Sequence, residues 1–218
     1  MNIFNSLIAG GAWRTILGGL IITVKISAFG LLLGTALGAL FCAARISPHK
    51  IINIPVKIII SFMRGTPVLL LLMFIYFVVF SGVRIDATLI AVIAFGLNSG
   101  AHIAEIMRAA LESVDKMQVE ACRMLGASRA TAFLYIALPQ AVKIAKPVYQ
   151  NAIISLVQWT SVVGYVAIAD LTRVVNNMGA RTGDPFLALF LGMLLYLLLS
   201  YAVNGIFLLT ERGARQHG

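Results

Sequence analysis

The stretch Glu120-Ala121-Cys122-Arg123-Met124-Leu125-Gly126, followed by Ile136-Ala137-Leu138-Pro139, decides how this chain is read. It has the form E-A-C-x3-G-x9-I-x-L-P. It lies in a polar segment carrying Lys116, Arg123, Arg129, Lys143 and Lys146, between long apolar runs. Residues 118–125 are strong helix formers. Ser113 and Asp115 are both candidate N-caps, and Gly126 suits the position just past a helix end. The segment therefore predicts a short surface helix, with Ala121 and Leu125 on one face. Its setting is a loop, about 113–139, between membrane helices.

The rest of the chain supplies those helices. Of its 218 residues 60% are hydrophobic and 11% charged, and the mean hydropathy is +0.95. Soluble domains carry roughly 25% charge, so this is a chain for lipid. A helix crosses the hydrocarbon core with about 20 apolar residues. Five stretches reach or approach that length: about 16–44, 58–80, 87–107, 147–169 and 186–210. The expectation is a single all-α membrane domain over 1–218 with five spans.

Basic residues orient it. One side collects Arg45, Lys50, Lys57, Arg64, Arg108, the basic loop, Arg212 and Arg215; the other has Arg14, Arg84, Arg173 and Arg181, offset by Asp86, Asp170 and Asp184. The N-terminus is expected outside and the C-terminus in the cytoplasm. The net charge of +9 then reports topology, and no clustered basic face points to nucleic acid. Residues 1–14 lack the basic leader and cleavage site of a secretory signal, and Trp13 suits the outer interface. Cys42 and Cys122 fall toward the reducing side, so no disulfide is expected, and their spacing suggests no metal site.

Four features inside the spans invite interpretation. Gly30, Gly34 and Gly38 form a ridge in the first span, and Gly96 and Gly100 repeat the device in the third; small residues let backbones approach where lipid offers no hydrophobic drive. Arg64-Gly65-Thr66-Pro67 places a helix break at the head of the second span, because proline removes a donor. The carbonyls it frees need partners inside the protein. Glu105 and Arg108 share one face of the third span, and a carboxylate in a bilayer needs a partner. A structural ion pair with Arg108 and Arg64 is expected rather than a proton relay. Asn98, two turns deeper, is the candidate to face a polar path. Asn151, Ser155 and Gln158 form a stripe on the fourth span, followed by Thr160 and Ser161. Such a stripe faces either a partner helix or a cavity.

The motifs together resemble those of permease subunits of bacterial ATP-binding-cassette importers, over about residues 17–209. The Glu120 segment is similar to the family's E-A-A-x3-G-x9-I-x-L-P coupling loop, with Cys122 for the second alanine. Arg64-Gly65-Thr66-Pro67 resembles the polar-amino-acid branch, the one that serves histidine, glutamine and arginine, although Leu71 stands where a glutamine is frequent. Leu97-Asn98, Ala101-His102, Glu105 and Arg108 look like L-N-x-x-A-Y-x-x-E-x-x-R, with histidine for tyrosine. Ser113-Val114 opens a segment similar to S-V-x-x-G-Q-x-E-A-A, with Met117 for the glycine. Gln158-Trp159-Thr160-Ser161 departs from the usual K-x-T-S by losing a cation that would suit a substrate carboxylate.

The resemblance implies the five-helix type I importer core in the bacterial inner membrane. It implies that Glu120, Ala121, Cys122, Arg123, Leu125 and Gly126 meet a separate ATPase. Thr66, Pro67, Asn98, Ser155, Gln158, Thr160 and Ser161 are the expected substrate path. The implied partners are ATPase subunits that hold ATP and Mg, a second permease subunit (identical or sister), and an extracytoplasmic binding protein. This chain carries no Walker motif, no catalytic constellation and no expected cofactor of its own. From the residues alone, a secondary transporter or channel subunit would also account for five spans and a polar fourth helix. It would not account for the coupling-loop spacing.

Overall fold

The computed structural model describes residues 11–216, with side chains described as far as Leu209. The helices are α1 (Ala12–Ile46), α2 (Lys50–Gly65), α3 (Val68–Phe74), α4 (Ala87–Glu112), α5 (Lys116–Met124), α6 (Arg129–Ala132), α7 (Leu138–Trp159), α8 (Leu171–Thr182) and α9 (Pro185–Gln216). Wide π turns follow α3 and α6 at Ile75–Val79 and Phe133–Ala137, and a 3-10 turn, Thr160–Val166, follows α7. The first ten residues, with most of the expected non-signal leader, lie outside the described residues, as do the side chains of Arg212 and Arg215 and all of His217.

Ala12–Ile46, Ala87–Glu112 and Pro185–Leu209 are each long and apolar enough to cross a bilayer as one helix. Two bent pairs are apolar enough to raise the number to five if each is taken as one span. Lys50–Gly65 and Val68–Val79 meet at 110°, and Arg129–Val166 and Leu171–Thr182 meet at 58°. The break expected at Thr66-Pro67 is thus present, and the stretch expected as a span over 147–169 turns at its end.

The first bend has a local cause. A residue before proline avoids the helical region, and Thr66 is extended at φ −94° and ψ 131°. Two carbonyls thereby lose their partners. The Thr66 hydroxyl donates to the Phe62 carbonyl at 2.8 Å. Met63, whose carbonyl would have met the N–H that Pro67 lacks, accepts from Asn98 Nδ2 at 3.0 Å.

The second bend is a change of helix type. The α7 helix tightens at Thr160, and Ala167 closes the 3-10 turn in the left-handed region at φ 63°. Asp170 then starts α8 as its N-cap, accepting from the amides of Thr172 and Arg173. The α8 helix buries Leu171, Val174, Val175 and Met178, an i, i+3, i+4, i+7 face against α1 and α9.

The α1 and α4 helices pack along most of their length. All five glycines of the two ridges are buried. A Cβ at Gly34 would run into the Ser99 side chain and reach the Gly100 nitrogen at 3.2 Å, and one at Gly100 would lie 3.2 Å from the Gly34 carbonyl. Ser99 Oγ reaches the Gly30 carbonyl across this seam at 3.5 Å. A larger core of Ile26, Leu72, Phe95, Leu156 and Val163 joins α1, α3, α4, α7 and the 3-10 turn.

A candidate coupling helix and a polar cavity

The α5 helix is built from its ends. Asp115 accepts from the Met117 amide at 2.9 Å and caps the start. At the other end Gly126 has φ +91°. Its amide donates to the Arg123 carbonyl, and that of Ala127 to the Cys122 carbonyl. This paired arrangement is the Schellman motif, and it needs the left-handed residue that glycine supplies. Ser113 does not start α5, as the sequence had allowed; its amide and hydroxyl both donate to the Ala109 carbonyl and close α4.

The α5 helix touches the body by a narrow footing. Gln140 Nε2 donates to Gln118 Oε1 at 2.8 Å, and Val119 packs on Ala110, Val114, Ala137 and Ala141. Its other face is open. Met117, Met124 and Leu125 are 76%, 88% and 90% exposed, and Glu120, Ala121, Arg123 and Gly126 are also exposed, with Cys122 half-buried. Three large apolar side chains crowning a detached helix are a docking surface in form.

Glu105 gathers more cations than expected. Arg108 lies 2.8 Å away, Arg45 3.6 Å and Arg64 3.9 Å, and Arg108 also pairs with Glu112. Arg45 was not singled out from the sequence; it sits at the far end of the first span, and only the crossing of α1 over α4 brings it in. Arg45 also donates to Asn53 Oδ1 at 2.8 Å. The cluster ties α1, α2 and α4 together at one end of the bundle. Its members are partly exposed, so its worth is a fraction of that of a buried pair.

The expected path residues are not all brought together. Asn98 is 2% exposed and is spent on the Met63 carbonyl, while its Oδ1 has no partner among the described residues. Thr160 is buried with its hydroxyl on the Val157 carbonyl. Both were expected to line a cavity; here each side chain bonds to a helix carbonyl, Asn98 to that of Met63 and Thr160 to that of Val157. Thr66 likewise turns to its own helix, while Pro67 is exposed and Ser155 half-buried. Gln158 and Ser161 do meet a cavity, of about 310 Å³, shared with Thr172, Val175, Asn176, Leu189, Gly192, Met193 and Tyr196.

Behind that cavity stands a polar post absent from the sequence reading. Asp170 is fully buried. Besides capping α8, it lies 3.4 Å from the Tyr196 hydroxyl, which also meets Thr172 Oγ1 at 3.0 Å. The Leu171 amide donates to Thr23 Oγ1 on α1, and a Cβ at Gly19 would come within 2.9 Å of the Asp170 carbonyl. The Asp170-Leu171-Thr172-Arg173 run carries the signal of a capped helix start, which could have revealed α8.

Bent spans around a glycine seam, with a capped helix standing off one end, define a transport-permease architecture. The chain belongs to the family of binding-protein-dependent transport system inner membrane components, which it matches over residues 30–216; it is a multi-pass inner-membrane subunit. It is similar to a probable amino-acid ABC transporter permease of Bacillus subtilis, at 35% identity over 89% of this chain and 86% of that one. An L-cystine transport system permease of the same species is 33% identical over 85% and 80% of the two chains. The crystal structure of an amino acid ABC transporter with histidines superposes with a TM-score of 0.87 at 29% identity, covering 97% of this chain and 98% of that one.

Proposed function

We propose that this chain forms one half of the path of an ATP-driven amino-acid importer, with α5 as the lever on which a separate ATPase subunit acts. The carrying observation is the exposed crown of Met117, Met124 and Leu125 on a helix held at both ends by caps. An amphipathic helix of this kind seats in a groove on its partner. The amino-acid cargo follows from the relatives, whose named substrates are amino acids. ATP and Mg belong to the ATPase, a second permease subunit completes the path, and an extracytoplasmic binding protein delivers the substrate. The N-terminus faces outward and α5 the cytoplasm, in keeping with the clustering of Lys and Arg on the α5 side.

Binding-protein-stimulated ATP hydrolysis in proteoliposomes tests this. Leu125→Asp leaves the subunit folded, since that side chain touches little of its own chain, and is expected to lower stimulation at least tenfold. Gly126→Asp does the same by straining the left-handed position. Stimulation at the parental level in both variants refutes the lever. Amino-acid uptake driven by an ion gradient without ATP would instead establish a secondary transporter.

A further inference from the structure

A second cavity, of about 240 Å³, adjoins the one lined by Gln158 and shares Ser161, Thr172 and Asn176 with it. Its other walls are Gly164, Tyr165 and Arg173. Among the described residues, Arg173 is the one ionised side chain that lines either space. Asp170, its nearest acidic neighbour in sequence, is fully buried and occupied by the Thr172 and Arg173 amides and Tyr196. It therefore caps the helix rather than reaching into the cavity.

Arg173 has donors to spare. One Nη1 hydrogen goes to the Gly164 carbonyl at 3.1 Å, which fixes where the guanidinium points. A guanidinium carries five N–H donors in a planar fork that fits a carboxylate with two parallel bonds. Arg173 is half-buried, and a guanidinium beside neutral polar groups, with the Asp170 carboxylate engaged at the start of α8, is placed to take an anionic ligand. Gln158 and Asn176 add neutral hydrogen-bonding groups, while Val175, Leu189, Gly192 and Met193 form an apolar floor.

We propose that Arg173 receives the α-carboxylate of the transported amino acid, and that the floor and Gln158 receive its side chain. With no acidic group in the joined cavity, the site favours neutral over cationic side chains. The inference rests on the amino-acid-import reading and deepens it.

The test uses the complete complex in proteoliposomes, without binding protein. Phenylglyoxal modifies accessible arginines, and peptide mass spectrometry reads the extent at Arg173. The probes are a mixture of the twenty common L-amino acids and, separately, a mixture of their α-carboxamides. The acids are expected to slow Arg173 modification at least tenfold and the amides less than twofold. Equal protection by both mixtures, or by neither, overturns the assignment. ATP-driven uptake of labelled amino acids, measured with binding protein added to the same vesicles, reports on the import reading alone. Uptake with an unprotected Arg173 sinks the proposal and spares that reading; no uptake of any amino acid sinks the reading itself. In a second arm, Arg173→Lys keeps the charge without the fork and Arg173→Gln removes both. Uptake should fall modestly in the first and at least tenfold in the second. Unchanged uptake in Arg173→Gln reduces Arg173 to a staple on Gly164.

Discussion

The seam between α1 and α4 and the wall made by α7, the 3-10 turn, α8 and α9 solve the same problem by opposite means. In the seam, backbone meets backbone because Gly34 and Gly100 leave nothing between them, and dispersion over a close contact replaces the hydrophobic drive that lipid withholds. In the wall, an apolar packing of α8 on α9 is supplemented by polar links: Gln150 to Asn204 at 2.6 Å, Thr172 to Tyr196 at 3.0 Å and Asp170 beneath. The wall keeps cavities, whereas the polar contacts of the seam are Ser99 at its middle and the Arg45–Glu105 pair at its end. A backbone-to-backbone contact has one arrangement, whereas side-chain hydrogen bonds between helices can be exchanged for others. The seam is thus suited to move as a unit and the wall to change shape.

The largest effect that would break this contrast is predicted at Gly34. Gly34→Leu forces α1 off α4 and is expected to cost about 3 kcal/mol as overpacking, read as lost folded yield and a lowered Tm in detergent. Parental yield would mean that the seam opens easily and is no rigid unit. Next comes Asn98→Leu, which leaves the Met63 carbonyl without its donor beside Pro67. A buried unsatisfied group costs about 1–3 kcal/mol, so Tm should fall by less than for Gly34→Leu. A Tm at or above the parent would show that water or another group already serves that carbonyl.

Asp170→Ala tests the wall. Loss of this cap is expected to cost about 1–2 kcal/mol and to expose the Leu171–Thr182 segment to proteolysis before the rest of the chain. Uniform proteolysis rates would show that α8 is held by its apolar face alone. The finest comparison is between neighbours in α1. Gly18→Ala meets nothing within 4 Å, whereas Gly19→Ala meets the Asp170 carbonyl at 2.9 Å. The first should stabilise by somewhat less than about 1 kcal/mol through helix propensity, and the second should destabilise. Equal shifts in Tm would show that α1 and the Asp170 turn are not in register as described.

The seam and the short capped helix α5 were both legible before any coordinates. Glycines four apart lie on one helix face whatever the context, and Asp115 and Gly126 act through chemistry within a few residues. The wall was harder to read. The α8 helix has twelve residues, too short for a span, and its apolar face was taken as part of a connection. The Thr66-Pro67 break was foreseen, but its 110° angle depends on α4 supplying Asn98 to a carbonyl thirty-five residues away in sequence. The same distance hid the bond of Asn98: a polar residue in a span was taken to face a path, and its link to the broken backbone at Met63 was not foreseen. Arg45 was hidden for a related reason, since only the crossing of helices sets it beside Glu105.

The crown on α5 bears on how such a protein is made. Met117, Met124 and Leu125 present a greasy tip to water in an orphan subunit, one not yet paired with its ATPase. On the proposed reading, supply of the ATPase has to keep step with that of this subunit, because an exposed apolar tip of this kind is open to association with other surfaces until it is covered. Matched stoichiometry is in this sense written into three side chains.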